Sequence, residues 1–84
     1  MRVDKFLKNS RLIKRRTVAK AACDSGRVKV NGKIVKAGHE VAVGDILEIA
    51  FGDRIVKVRA LKLSESSFKD DSKEMFEFIE ADND

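Results

Sequence analysis

The spacing of apolar residues changes once along this chain, at Gly26, and that change decides what it can fold into. Before it, Val3, Phe6 and Leu7 recur at i, i+3, i+4, and Val18, Ala19, Ala22 and Cys23 form a second stripe of helical period. After it, Val28 and Val30 alternate with Arg27 and Lys29 at the period of a strand. Gly26 supplies the left-handed residue that ends helices. Two helices followed by strands make the class α+β.

The first helix carries Arg2, Lys5 and Lys8 on its solvated side and stops at Asn9-Ser10. The second begins between Lys14 and Thr17 and runs to Ser25, with Leu12 and Ile13 packing under both helices. Asn31-Gly32, set between the runs Val28 to Val30 and Lys33 to Lys36, is the strongest short-range hairpin signal a sequence offers. Ala37 to Glu40 reads as a loop and Val41 to Val43 as an extended stretch. Gly44-Asp45 then turns into Ile46 to Phe51, with Leu47, Ile49 and Phe51 on one face. Gly52-Asp53 turns again, and Ile55 to Leu63 forms a final strand with Lys57, Arg59 and Lys62 at its polar positions. The architecture expected over residues 1–63 is therefore two short N-terminal helices packed on a small, mostly antiparallel sheet. Residues 64–84 follow as an acidic tail, partly helical or disordered, in which Met75, Phe76 and Ile79 form one or two helical turns. A chain of 84 residues makes a single domain with a modest core.

Charge is divided along the same line. Residues 1–62 hold 16 Lys and Arg against 6 Asp and Glu, whereas residues 63–84 hold 2 against 8. Within residues 1–36 only Asp4 and Asp24 oppose twelve bases, although exposed helices that merely need solubility usually mix signs. The candidate binding set is Arg2, Lys5, Lys8, Arg11, Lys14, Arg15, Arg16, Lys20, Arg27 and Lys29. Arg16 and Lys20 lie one helical turn apart and face outward together, with Arg27 and Lys29 extending the patch from the first strand. Such a row suits phosphates along an RNA backbone, to which Arg adds bidentate contacts. Phe6 is the one aromatic among these bases and belongs to the apolar face, so folded RNA is a better match than splayed bases.

No catalytic constellation is visible, and an enzyme is not expected. His39 sits in a Gly-flanked loop without a Ser or Cys partner in a recognisable motif. Cys23 falls on the inward stripe of the second helix as a small core residue, with a reactive thiolate as the minor alternative. A single cysteine makes neither a disulfide framework nor a zinc site, and the tail acids lack the spacing of a calcium loop, so no metal or cofactor is expected. The chain opens without the apolar run of a signal peptide and has no stretch long enough to span a bilayer. A cytoplasmic, monomeric protein away from membranes is the expectation.

The runs Arg2 to Leu7, Arg15 to Lys20, Gly26 to Lys33 and Gly44-Asp45 together resemble the small RNA-binding domain named after the fourth protein of the small ribosomal subunit, over residues 1 to about 52. Within that superfamily a stand-alone domain of this length is similar to the ribosome-associated quality-control factors, relatives of the fifteen-kilodalton heat-shock proteins. The heat-shock relatives carry a longer basic C-terminal extension, whereas this chain ends in acid. The resemblance implies the alpha-L-type RNA-binding fold. It also implies a factor that binds large ribosomal subunits still holding peptidyl-tRNA, touches ribosomal RNA and transfer RNA at once, and supports a partner that adds alanine tails to stalled chains. Carried over by motif, Arg2 and Arg16 come first, with Arg15, Lys20 and Lys5 beside them.

Two other roles fit the same residues. The domain is often attached to RNA-modifying enzymes, which makes a targeting subunit for such an enzyme one alternative. The other is a protein-interaction adaptor whose acidic tail is the working part.

Overall fold

The computed structural model describes residues 1–65 and 69–79. The order of elements is α1 (Val3–Asn9), α2 (Arg16–Asp24), β1 (Val28–Val30), β2 (Lys33–Ile34), β3 (Ile46–Phe51), β4 (Arg54–Ala60), α3 (Lys69–Glu74) and β5 (Phe76–Phe78). The strands form one five-stranded sheet in the order β2-β1-β3-β4-β5, every pairing antiparallel.

Local chemistry accounts for the element ends. Ser10 caps α1, its backbone N–H donating to Phe6 and its hydroxyl donating to the Leu7 carbonyl at 3.1 Å. The chain then reverses at Arg11, whose φ of 65° stands in the left-handed region that Arg seldom enters. Gly26 ends α2 at φ 81°. Asn31 and Gly32, at φ 52° and 86°, form the two-residue loop that a tight hairpin needs, and Val30 pairs with Lys33 across it. The Asn31 side chain also clips the start of β3: its amide donates to Asp45 at 3.1 Å and its carbonyl oxygen accepts from the Ile46 N–H at 2.9 Å.

The core lies between the helix pair and one face of the sheet. Phe6 and Leu7 of α1, Ala19 and Cys23 of α2, Val28, Leu47, Ile49 and Val58 of the strands, and Met75 have no exposure to solvent. Burying each larger side chain contributes roughly 1.5–3 kcal/mol. The irregular stretch between β2 and β3 is tied to the N-terminus: the Val3 N–H donates to the His39 carbonyl at 2.7 Å, that of Asp4 to Ala37 at 3.3 Å, and that of Val41 to Met1 at 2.8 Å.

Several expectations need correction. Val18 does not join the inward stripe of α2; it is 52% exposed, because Ala19 and Cys23 alone point straight at the core. Only Lys33–Ile34 of the second hairpin arm pairs as strand, and Val41 to Val43 joins no ladder. Phe51 ends the inner face of β3 partly exposed, at 39%. The strand expected from Ile55 to Leu63 runs from Arg54 to Ala60 and is not the last. Phe76–Phe78, expected to be helical, instead pairs with β4: Phe76 stands opposite Ala60 and Phe78 opposite Val58. Glu77 faces Arg59 on the other side of the sheet and pairs with it at 2.8 Å, so a charge that argued for a solvated tail is matched within the ladder. The Asn9 amide donates to the Ser64 carbonyl at 3.0 Å, and the Ser72 hydroxyl donates to the Asn9 carbonyl at 2.6 Å, fastening this segment to α1. Phe68, Glu80, Asp82 and Asp84 lie outside the described residues, as do the side chains of Asp70 and Asp71.

Candidate nucleic-acid interface

The helix pair brings two arginines onto one buried carboxylate. Asp4, on α1, is 1% exposed. Arg2, at the N-cap of α1, gives it Nε at 3.2 Å and Nη2 at 3.3 Å, one to each oxygen. Arg16, the first residue of α2, places Nη2 at 3.5 Å from Oδ1 and Nε at 3.5 Å from Oδ2. The Lys5 backbone N–H donates to Oδ1 at 2.8 Å. Burial pushes the Asp4 carboxyl up, but the hydrogen bonds from Arg2 and Arg16, the charge of Arg16 and the Lys5 amide outweigh it and hold the group below the ordinary aspartate value. Both arginine side chains remain about half exposed, at 46% and 48%.

The start of α2 concentrates positive charge further. Arg15 is its N-cap and makes no capping hydrogen bond through its side chain, Arg16 follows, and the first turn holds no acid. Positive side chains here oppose the helix dipole, which favours negative charge at this end by about 0.3–1 kcal/mol for each group. An anion at this spot relieves that conflict.

The other candidate residues divide into groups. Lys14 and Arg15 are exposed on the connection into α2, next to Arg16. Lys20, also exposed, is spanned to Asp24 at 3.3 Å, one turn along, and does not share Arg16's partner. Lys5 is half-buried and pairs with Glu65, while Lys8 is half-buried in the last turn of α1. Arg11 lines a shallow depression with Ser10, Ser72, Lys73 and Phe76, on the α3 side. Arg27 and Lys14 line a groove of about 400 Å³ together with Leu12, Val18, Ile49 and Phe51. Strand alternation puts Lys29 on the sheet face turned away from the helices, in a row with Glu48 and Lys57, and it lines a small depression there together with Arg27, Glu48, Ala50 and Ile55, so Arg27 adjoins both the groove beside the helices and this face.

That far sheet face alternates in sign, Lys29 beside Glu48 beside Lys57, and Arg59 beside Glu77, as a solvated surface does. The start of α2 does not: Lys14, Arg15 and Arg16 follow one another and the first turn of the helix holds no acid. Sequence reasoning missed Asp4 as a member of the site. Its position three residues before the buried Leu7 placed it at the border of the apolar arc, and that was the available signal.

Cys23 is buried, and its thiol is pushed up to about 11 by burial and by the charges of Asp4 and Asp24. The charges acting on it are acids, not the basic neighbourhood that would have favoured a thiolate. Among the described residues, no group of three His, Cys, Asp or Glu side chains is gathered as a metal requires, and no helix is long and apolar enough to cross a membrane.

Two short helices meeting at a basic edge over an antiparallel sheet define a protein of the S4-domain class, and the S4 domain family matches residues 1–47, more than half of the chain. The RQC P-site tRNA stabilizing factor of Streptococcus pneumoniae is 48% identical to it over 94% of this chain and 90% of its own length. The factor of the same name from Bacillus subtilis is 44% identical over 94% and 92%. The chain belongs to the family of RQC P-site tRNA stabilizing factors, which bears out the resemblance read from Arg2 to Leu7 and Arg15 to Lys20. Among solved structures, heat shock protein 15 of Vibrio cholerae superposes with a TM-score of 0.87 over 94% of this chain and 81% of that one, at 22% identity, and shares the fold.

Proposed function

We propose that this chain is a non-enzymatic RNA-binding factor of ribosome-associated quality control. It binds the large ribosomal subunit while that subunit holds peptidyl-tRNA, touches ribosomal RNA and transfer RNA, and supports the factor that adds alanine tails. The observation that carries this reading is the meeting of Arg2 and Arg16 on Asp4 at the uncapped start of α2, with Lys14 and Arg15 alongside. Each guanidinium has five N–H donors and gives its Nε edge to the carboxylate, which leaves the end-on edge for a phosphate. The contrast with the mixed-sign sheet face supports one RNA-binding edge, not a uniformly sticky surface. The names of the relatives supply the ribosomal P-site tRNA as the RNA concerned.

The test is sedimentation of the purified protein with large ribosomal subunits carrying peptidyl-tRNA, across a salt series. Arg16→Ala is expected to weaken association about tenfold, as loss of a charge-assisted hydrogen bond does. It should also make the slope of log affinity against log salt shallower by about one unit. Unchanged binding would remove the α1–α2 edge from the interface.

A further inference from the structure

We infer that Asp4 is a positioning residue for RNA binding: it fixes Arg2 and Arg16 in a shared orientation before any phosphate arrives. The inference rests on the reading of this edge as the RNA site. An acid in a phosphate-binding surface repels the ligand it faces, so electrostatics alone argue against an aspartate here. Asp4, however, does not face solvent. At 1% exposure it lies beneath the two guanidinia, and its two oxygens each receive one donor from each arginine.

The same geometry turns both arginines the same way. Each uses Nε and Nη2 on the carboxylate, so Nη1 and the remaining Nη2 proton of both point off it. Arg2 also runs beside the loop after β2, its Cζ 4.0 Å from where a Cβ on Gly38 would stand. Asp4 is itself held by the Lys5 amide, and its own N–H is bonded to Ala37. A free arginine loses much rotamer freedom when it grips a phosphate, and here that loss is incurred when the protein folds. The depressed pKa of Asp4 keeps the carboxylate charged throughout the neutral range.

The two accounts differ in sign. Asp4→Asn preserves shape and raises the net positive charge of the edge. If charge alone governs, the variant binds RNA more tightly; if positioning governs, it binds more weakly although it is more basic. Binding of wild type, Asp4→Asn and Arg16→Ala to large subunits carrying peptidyl-tRNA decides this. The expected result is a loss of about tenfold for Asp4→Asn, the scale of ordering two long side chains. Equal or tighter binding by Asp4→Asn, alongside weakened Arg16→Ala, overturns the inference while leaving the RNA site intact. Unchanged Arg16→Ala overturns the site and the inference with it. A second measurement does not depend on the variant's folding: in the free wild-type protein, the Nε–H resonances of Arg2 and Arg16 should be motionally restricted relative to that of Arg15. Equal mobility at all three overturns the positioning role.

Discussion

A carboxylate with almost no access to water owes its charged state to what surrounds it, and Asp4 therefore links pH to stability. Its pKa in the folded protein lies below the ordinary aspartate value. Between those two values the unfolded chain takes up a proton that the folded chain refuses. The stabilisation is thus fully present above about pH 4–5 and is lost as pH falls through the folded value. Urea unfolding at a series of acid pH values should show a stability that declines steeply below about pH 4 in wild type and less steeply in Asp4→Asn. Cys23 belongs to the same neighbourhood and behaves in the opposite sense. With its thiol raised to about 11, only about one molecule in ten thousand carries the thiolate at neutral pH. Iodoacetamide should modify native protein far more slowly than urea-unfolded protein, and rapid labelling of the native state would contradict the burial described.

Among the elements, the β1–β2 hairpin is the one whose form rests most on residue identity. Gly32 has φ 86° and open space where a Cβ would project, so Gly32→Ala meets no clash and its cost is that of the left-handed backbone, about 1–2 kcal/mol. Asn31→Ala should cost at least as much, since it also removes the hydrogen bonds to Asp45 and the Ile46 N–H. Denaturant titration of both variants tests this order. The hairpin and both helices were readable because their signals are local: Asn31-Gly32, Gly26 and the i, i+3, i+4 spacing of Val3, Phe6 and Leu7 need no distant partner. β5 was not readable, because three residues, Phe76-Glu77-Phe78, become a strand only through pairing with β4. Of the candidate site, the arginines were legible as charge. Their meeting on Asp4 was not, because it depends on how α1 and α2 cross. Alternation told that Lys29 shares a face with Arg27, which the depression they line together reflects, but not which face of the sheet the helices cover.

For the whole molecule, the consequence of β5 is that the C-terminal segment belongs to the stability of the sheet. Met75 has no solvent exposure, and its carbonyl accepts from the Leu61 N–H at 2.7 Å. Met75→Ala is expected to lower unfolding free energy by about 2–5 kcal/mol without a change in the denaturant slope. Removing residues 64–84 would take this core residue and β5 away together, and is a poor test of what an acidic tail does. Removing residues 80–84 leaves Met75 and the β4–β5 ladder in place. The ties between α1 and the stretch around Ala37 and His39 also impose an order in time. A ribosome making this protein releases the basic helices first, yet Val3 and Asp4 have no seat until residues 37–41 have been synthesised, and the core stays open until Met75 has emerged. The nascent chain thus carries its basic N-terminal residues past the ribosome's own RNA before the contacts that seat α1 have been made, and completes its core only after nearly all of it has been synthesised.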